Sequence, residues 1–396
     1  MNVPVLIIFL ISNLPTMAST MYLPSLPEIG QVFGSSESLM KLTLSVYLIG
    51  FISSQLASGS LSDRYGRRSI LLIGTSLFCC GTLLCMLSPS ISVFFCGRFI
   101  QGFGSCAIAS LSRTILRDLF SGKELSKFNS YNGIILTLGI VLSPLFGAFF
   151  QDIFNWQFSF LFMLVYGSLG FLSIYKLFPE TNSHLDLSAL QFSNIFSSWK
   201  EFLTDRTFMA NTIAAGMATS GIYVYYSITP FLFQNDFELT PVEYGYCSLF
   251  IVSTLIIGRM INIKLIHYKD LSEMMYFGNL CMVSSGLILI LLAIFQSANI
   301  FTISLLVSLF LLGAAIVFSN SAAGALTPFP HKAGVAGAVY GFIQMLISFL
   351  VSLALAIPQG ENILVLSTGL FVCGLLSFIL YQKLVLKTAI QYEEKT

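Results

Sequence analysis

The chain has 396 residues, 56% of them hydrophobic and only 9% charged, with a formal net charge of +1. A soluble domain carries about 25% Asp, Glu, Lys and Arg, so these charges cannot cover a water-facing surface and the outer face must meet lipid. The near-zero net charge provides no field for nucleic acid, and no nucleic-acid partner is expected.

A spanning helix needs about 20 mostly apolar residues. The first such run opens Met1-Asn2-Val3-Pro4 with no basic region before it, and reads as a spanning helix, not a removable leader. Charged or Pro/Gly breaks divide the chain into twelve runs: 4–24, 40–60, 69–88, 92–114, 129–150, 158–178, 208–232, 244–263, 274–295, 300–321, 334–357 and 363–383. They are too long and too continuously apolar for the ~10-residue alternating strands of a membrane barrel. The fold class expected is therefore all-α integral membrane, with twelve transmembrane helices in two six-helix bundles.

Between the sixth and seventh runs lies the one long polar stretch, Pro179 to Thr207. It reads as a cytoplasmic linker (179–207), with a short surface helix around Phe192–Leu203, joining an N-terminal bundle (1–178) to a C-terminal bundle and short tail (208–396). With both termini inside, every Lys and Arg except Lys41 and Arg98 falls on the cytoplasmic side, as basic residues do in inner-membrane proteins. Gly258, before Arg259, Lys264 and Lys269, stands 199 residues after Gly59, which precedes the other basic turn. This suggests a six-helix repeat about an axis along the membrane normal.

The eight cysteines (79, 80, 85, 96, 106, 247, 281 and 373) form no CxxC pair and sit in apolar runs. They read as small buried hydrophobes, so no metal, cofactor or disulfide framework is expected. The acidic residues fall in loops, tails or helix ends, with Glu28 and Glu243 nearest the spans, and the three histidines lie in polar segments. Nothing here assembles a catalytic constellation, and no enzyme activity is expected.

The turn after the second run reads Gly59-Ser60-Leu61-Ser62-Asp63-Arg64-Tyr65-Gly66-Arg67-Arg68. Its glycines permit close backbone approach, its arginines anchor one membrane face, and Asp63 is placed to accept from amides at a helix N-terminus. The segment resembles the signature loop of the major facilitator superfamily, G-x-L-x-D-R-x-G-R-R, at every specified position. One branch is similar over residues 20–181: the bicyclomycin and chloramphenicol resistance (Bcr/CflA-type) drug transporters. The segments that carry this likeness are Met21-Tyr22-Leu23-Pro24-Ser25-Leu26-Pro27, Arg98-Phe99-Ile100-Gln101-Gly102, Arg113 to Phe120 with Arg117 and Asp118, Ser143-Pro144-Leu145-Phe146-Gly147, Trp156 and Pro179-Glu180-Thr181. The resemblance implies a gating role for the loop with Arg117 and Asp118. It also implies a bent, closely packed fifth helix at Gly139, Pro144 and Gly147.

Two positions depart from that branch. Thr20 stands where Asp usually precedes the Met-Tyr-Leu-Pro, and Gln157 where Arg usually follows the Trp. The first leaves proton coupling open, because a membrane carboxylate is the ordinary carrier.

Arg98 is the one basic residue read clearly within a span, followed by Gln101, Gly102 and Ser105 on one helix face. Two roles compete for it: contact with an anionic group, or bracing of the first helix through a carbonyl or Asn13. Asn13 and Thr20 on the first helix, Tyr223 and Tyr226 on the seventh, and Tyr340 and Gln344 on the eleventh complete the candidate binding set. Aromatic faces with a few hydrogen-bonding groups suit a small, amphipathic organic ligand, and Gly337 and Gly341 read as a packing seam. The function expected is alternating-access transport of a small organic compound, foremost drug efflux, by a monomer. The alternatives are import of a metabolite or siderophore-like chelator, and a non-transporting receptor on the same fold.

Overall fold

Residues 3–182, 199–329, 332–356 and 362–393 of the computed structural model are described, and no strand occurs among them. In lipid every backbone polar group needs an internal partner, which a helix supplies within one segment. Polar caps start several helices. Ser36 accepts from Leu39 N at the head of α4 (Glu37–Tyr65), and Asn155 from Phe158 N at the head of α8 (Trp156–Leu177). Between these lie α5 (Arg67–Met86), α6 (Ile91–Leu119) and α7 (Gly122–Ile153).

The first run is not one continuous helix. It breaks into α1 (Val3–Ile11), α2 (Leu14–Thr20), a 3-10 turn (Leu23–Ser25) and α3 (Leu26–Val32). Pro15, Pro24 and Pro27 lack the N–H that would continue the ladder. The whole stretch Val3–Val32 still has the length and hydropathy of a span.

The second half of the chain holds α9 (Arg206–Phe231), α10 (Pro241–Leu265), α11 (Leu271–Ile294), α12 (Ile300–Leu326), α13 (Ala333–Ala354) and α14 (Asn362–Glu393). Eleven segments pass as spans by length and hydropathy, counting α4, which is bent by 43° between Gln55 and Ala57. The twelfth is α9, which has 26 residues, about 39 Å at 1.5 Å per residue. It is less apolar because Asn211, Thr212, Thr219, Ser220, Ser227 and Thr229 are built into it, and all six are buried. A helix wrapped by its neighbours need not be greasy. The expected surface helix at 192–203 lies mostly outside the described residues, although residues 199–204 are helical.

The chain divides into two compact units, Met1–Gln191 with Leu239–Tyr246, and Phe192–Glu238 with Cys247–Thr396. In the first, α6 is the central post, packed on α4 and α5. A Cβ on Gly102 would collide with the Tyr47 carbonyl oxygen, and one on Gly50 with that of Phe99, so α4 and α6 touch backbone to backbone. The fifth span, α7, meets the broken first run in the same way. Added Cβ atoms on Gly139 and Gly147 would strike Asn13 Oδ1 and the Met21 carbonyl, with Pro144 between them in the helix.

In the second unit α9 packs against α12, α13 and α14. Buried amides and hydroxyls join the helices: Asn320 Nδ2 donates to Asn262 Oδ1 (2.6 Å), Ser377 to Asn279 Oδ1 (2.5 Å) and Ser285 to the Leu306 carbonyl (2.5 Å). Such bonds substitute for the hydrophobic drive that lipid removes.

Three expectations are corrected here. Among the described residues nothing would meet a Cβ on Gly59, so its loop needs no close approach at that position, and nothing would meet one on Gly337, the first glycine of the expected seam. The cysteines are not uniformly buried: Cys85, Cys106, Cys281 and Cys373 are, whereas Cys80 and Cys96 are exposed. With lipid as solvent, a thiol gains little by turning inward.

Gly147→Ala should lower the thermal midpoint of the purified protein by several degrees, since overpacking a tight seam costs about 1–3 kcal/mol. Gly59→Ala should leave the midpoint unchanged, both read by unfolding in detergent.

Candidate functional site

Side chains from three other helices hold the broken first run by its carbonyls, two of them, Leu10 and Ala18, at the helix ends and one, Pro15, within α2. Tyr166 Oη on α8 donates to the Leu10 carbonyl (2.7 Å), and Tyr47 Oη on α4 to that of Pro15 (2.9 Å). Arg98 Nη1 on α6 donates to that of Ala18 (2.8 Å). Bracing of the first helix by Arg98 is thus a direct observation.

Arg98 is 0% exposed. Its Nη1 also donates to Gln101 Oε1 (2.6 Å), whose Nε2 donates in turn to Thr82 Oγ1 (2.8 Å) on α5. The guanidinium carbon lies 4.1 Å from the Tyr22 ring centroid and 4.7 Å from that of Tyr47. A desolvated cation over two aromatic faces is stabilised by their quadrupoles, each worth up to about 2 kcal/mol. Nε and Nη2 of Arg98 find no acceptor among the described residues.

Of the other candidates in this unit, Gln101 is joined to Arg98, and Asn13 packs on Gly139 with a buried, unpartnered Oδ1. Thr20 is buried, and its hydroxyl donates to Thr16 O one turn back (2.8 Å), two residues beyond the carbonyl Arg98 holds. Lys41 is a second basic residue hidden within a span, 3% exposed on α4, where the sequence suggested an outer position.

In the second unit, Gln344 Nε2 on α13 donates to Thr219 Oγ1 on α9 (2.7 Å), one turn from the Ser348–Ser220 contact. Tyr223, half-buried, and Tyr226, buried, sit with ring centroids 6.4 Å apart. Tyr340 is buried, and its hydroxyl has no partner among the described residues. Separately, a mostly apolar crevice of about 430 Å³ lies among α4, α5 and α6, between Ser54, Ser58, Ser69 and Phe103, and contains none of these candidates.

At the end of α4 the signature loop forms a network. Arg67 Nε donates to Asp118 Oδ2 (3.0 Å), and its Nη1 to Asp63 Oδ1 and Ser62 Oγ. Three segments, the ends of α4 and α6 and the start of α5, are thereby tied by one guanidinium. Arg68 Nη2 donates to the Tyr175 carbonyl (2.7 Å), and Arg64 lies against the Tyr65 ring. Arg117 is exposed and makes no ion pair among the described residues, unlike its neighbour Asp118.

The amides at the head of α5 are not met by Asp63. Glu180 takes that role: Oε1 accepts from Arg67 N (2.8 Å) and Oε2 from Arg68 N (3.1 Å). Oε1 also accepts from Thr181 N and Asn182 N (3.1 and 3.0 Å). A carboxylate on a helix N-terminus gains from both the free N–H groups and the dipole. Gly66 makes room for it, with φ +89° and no Cβ to strike the carboxylate. The pairing spans 113 residues, and no local signal reveals it.

A family model described as Major Facilitator Superfamily matches residues 8–355. The chain is similar to the uncharacterized MFS-type transporter YdgK of Bacillus subtilis (strain 168), 34% identical over 84% of this chain and 83% of that one. It is also similar to multidrug resistance protein D of Escherichia coli (strain K12), 26% identical over 89% of each chain. Among solved structures, a D-xylose-proton symporter superposes with a TM-score of 0.78 at 16% identity, over 94% of this chain and 96% of that one. The last likeness concerns the fold alone.

If Glu180 holds the head of α5, Glu180→Ala should raise hydrogen exchange at the Arg67 and Arg68 amides by about tenfold or more, with Glu180→Gln intermediate. Exchange measured by mass spectrometry on the loop peptide would read this.

Proposed function

This chain belongs to the major facilitator superfamily, and from that premise we propose that it exports small organic compounds across the cytoplasmic membrane by alternating access. Similarity to a multidrug resistance protein, and to the bicyclomycin and chloramphenicol resistance branch over residues 20–181, supports export over import. The observation that carries the reading is the combination, in one unit, of the Arg67–Asp63–Asp118 loop with a deeply buried cation, Arg98. A charge at that depth is retained only for a purpose.

In this reading the two halves are residues 1–178 and 208–396, joined by 179–207, with both termini and that linker in the cytoplasm. Arg67, Asp63 and Asp118 with Gly66, Arg64 and Arg68 form a latch that opens and closes during the cycle. The proposed substrate contacts are Asn13, Thr20, Arg98 and Gln101 in the first unit, and Tyr223, Tyr226, Tyr340 and Gln344 in the second. Thr20 does not carry a proton, and Glu243 is a poor substitute. Its carboxylate accepts from Thr240 N (2.8 Å) and Oγ1 (2.9 Å) in a capping box that fixes the start of α10. Transport is therefore expected to respond weakly to an imposed pH gradient.

The test uses proteoliposomes with a neutral phenicol antibiotic, an aromatic cation or an aromatic carboxylate, with and without a pH gradient. At least one compound should move, with little response to pH. Steep pH dependence that vanishes in Glu28→Gln or Glu243→Gln would refute the coupling assignment. Asp63→Asn and Arg67→Ala should each slow transport about tenfold while leaving substrate affinity unchanged. Loss of affinity at unchanged rate would remove the latch assignment. In a background without the native cysteines, Lys123→Cys and Ser88→Cys should label from opposite sides of the membrane. Labelling from one side would overturn the topology.

A further inference from the structure

We propose that Arg98 is the core of an anion-binding site, and that the substrates of this transporter include organic compounds bearing a carboxylate. The inference rests on the transport reading only for the second clause. The first concerns binding alone.

Arg98 is completely buried, yet it forms no ion pair among the described residues. Its two hydrogen bonds are both donated by Nη1 and both go to neutral oxygens, the Ala18 carbonyl and Gln101 Oε1. The remaining edge, Nε with Nη2, carries no acceptor among the described residues. That edge has the parallel N–H geometry that receives both oxygens of a carboxylate.

The neighbours oppose internal neutralisation. Gln101 is held by Thr82, Thr20 by its own helix, and Tyr47 Oη by Pro15 O, and none of these groups is anionic at neutral pH. The Tyr22 and Tyr47 rings flank the cation, and they lower its cost without cancelling its charge. A buried charge with no partner charge is expensive, so an external anion has a strong reason to settle there. The position of Thr20 gives the proposal its specificity for this chain. A carboxylate on that helix would neutralise Arg98 from within, and the threonine leaves the cation to a ligand.

The shared chemistry is a monovalent anion, and two sources fit: a carboxylate carried by the substrate, or a free halide that stays with the protein. The experiment uses the full-length protein in nanodiscs at constant ionic strength, titrated with benzoate or with chloride against gluconate. Binding is followed by thermal midpoint and by radiolabelled benzoate. Saturable binding is expected, weakened about tenfold or more in Arg98→Gln, less in Arg98→Lys, which keeps the charge but not the fork. Thr20→Asp should abolish it while the protein stays folded, and this variant keeps the test decisive if Arg98→Gln does not fold. Benzoate binding competed by chloride identifies the substrate arm, and chloride binding without benzoate binding overturns the carboxylate clause. Failure of both anions to bind, or binding unchanged in Arg98→Gln and Thr20→Asp, overturns the site. A protein that binds anions but moves nothing in proteoliposomes would refute the transport reading and leave this one standing.

Discussion

The lipid interior provides no partner for a backbone carbonyl, and the architecture of the first unit follows from how one broken helix meets that constraint. Val3–Val32 is interrupted around Ser12–Asn13 and again near Pro24. Each interruption would leave polar groups unpaired at a cost of several kcal/mol. Tyr166 and Arg98 reach in to the carbonyls of Leu10 and Ala18 at the helix ends, and Tyr47 adds a bond to Pro15 within α2. The glycines of α7 then let that helix lie directly on the repaired segment. A helix built this way is held by side chains more than by its own bonds, so its position responds to whatever those side chains contact. Arg98 belongs to the brace and to the candidate site together, and a ligand on its free edge would act on the first helix directly.

The signature loop uses the same economy at the membrane edge. Arg67 draws Asp63, Ser62 and Asp118 together, and Glu180 closes the head of α5 from the far end of the unit. The segment leaving α8 is thereby fastened to the loop, with Asn182 Nδ2 donating to the Asp63 carbonyl as well (3.3 Å). Surface ion pairs alone contribute little. What gives this loop its hold is the set of charge-assisted bonds to backbone N–H, made on a glycine whose conformation other residues rarely adopt.

Much of this was legible in sequence because it is local. Long apolar runs located the spans, and α9 keeps the length of one although buried polar residues are built into it. Arg98 stood out because a charge in an apolar run has few explanations. The partners were not legible. Tyr22 meets Arg98 across a long sequence separation, Thr82 is linked to it only through Gln101, and Glu180 meets Arg67 from 113 residues away. Local chemistry made Asp63 the natural amide acceptor, and only tertiary geometry gives that place to Glu180. Gly59 misled in the other direction: it matches the motif, yet nothing approaches it.

The two units differ in the kind of polarity they bury. Among the described residues the buried charged side chains are Lys41, Arg67 and Arg98, all basic and all in the first unit. The second unit buries neutral groups instead, among them Asn211, Asn262, Asn279, Asn320 and Gln344. Neutral amides and hydroxyls discriminate by hydrogen-bond direction and shape, whereas a desolvated cation discriminates by charge. In the second unit Tyr340 has a buried hydroxyl with no partner among the described residues, and Gln344 Nε2 donates to Thr219, so the polarity buried there is directional and uncharged.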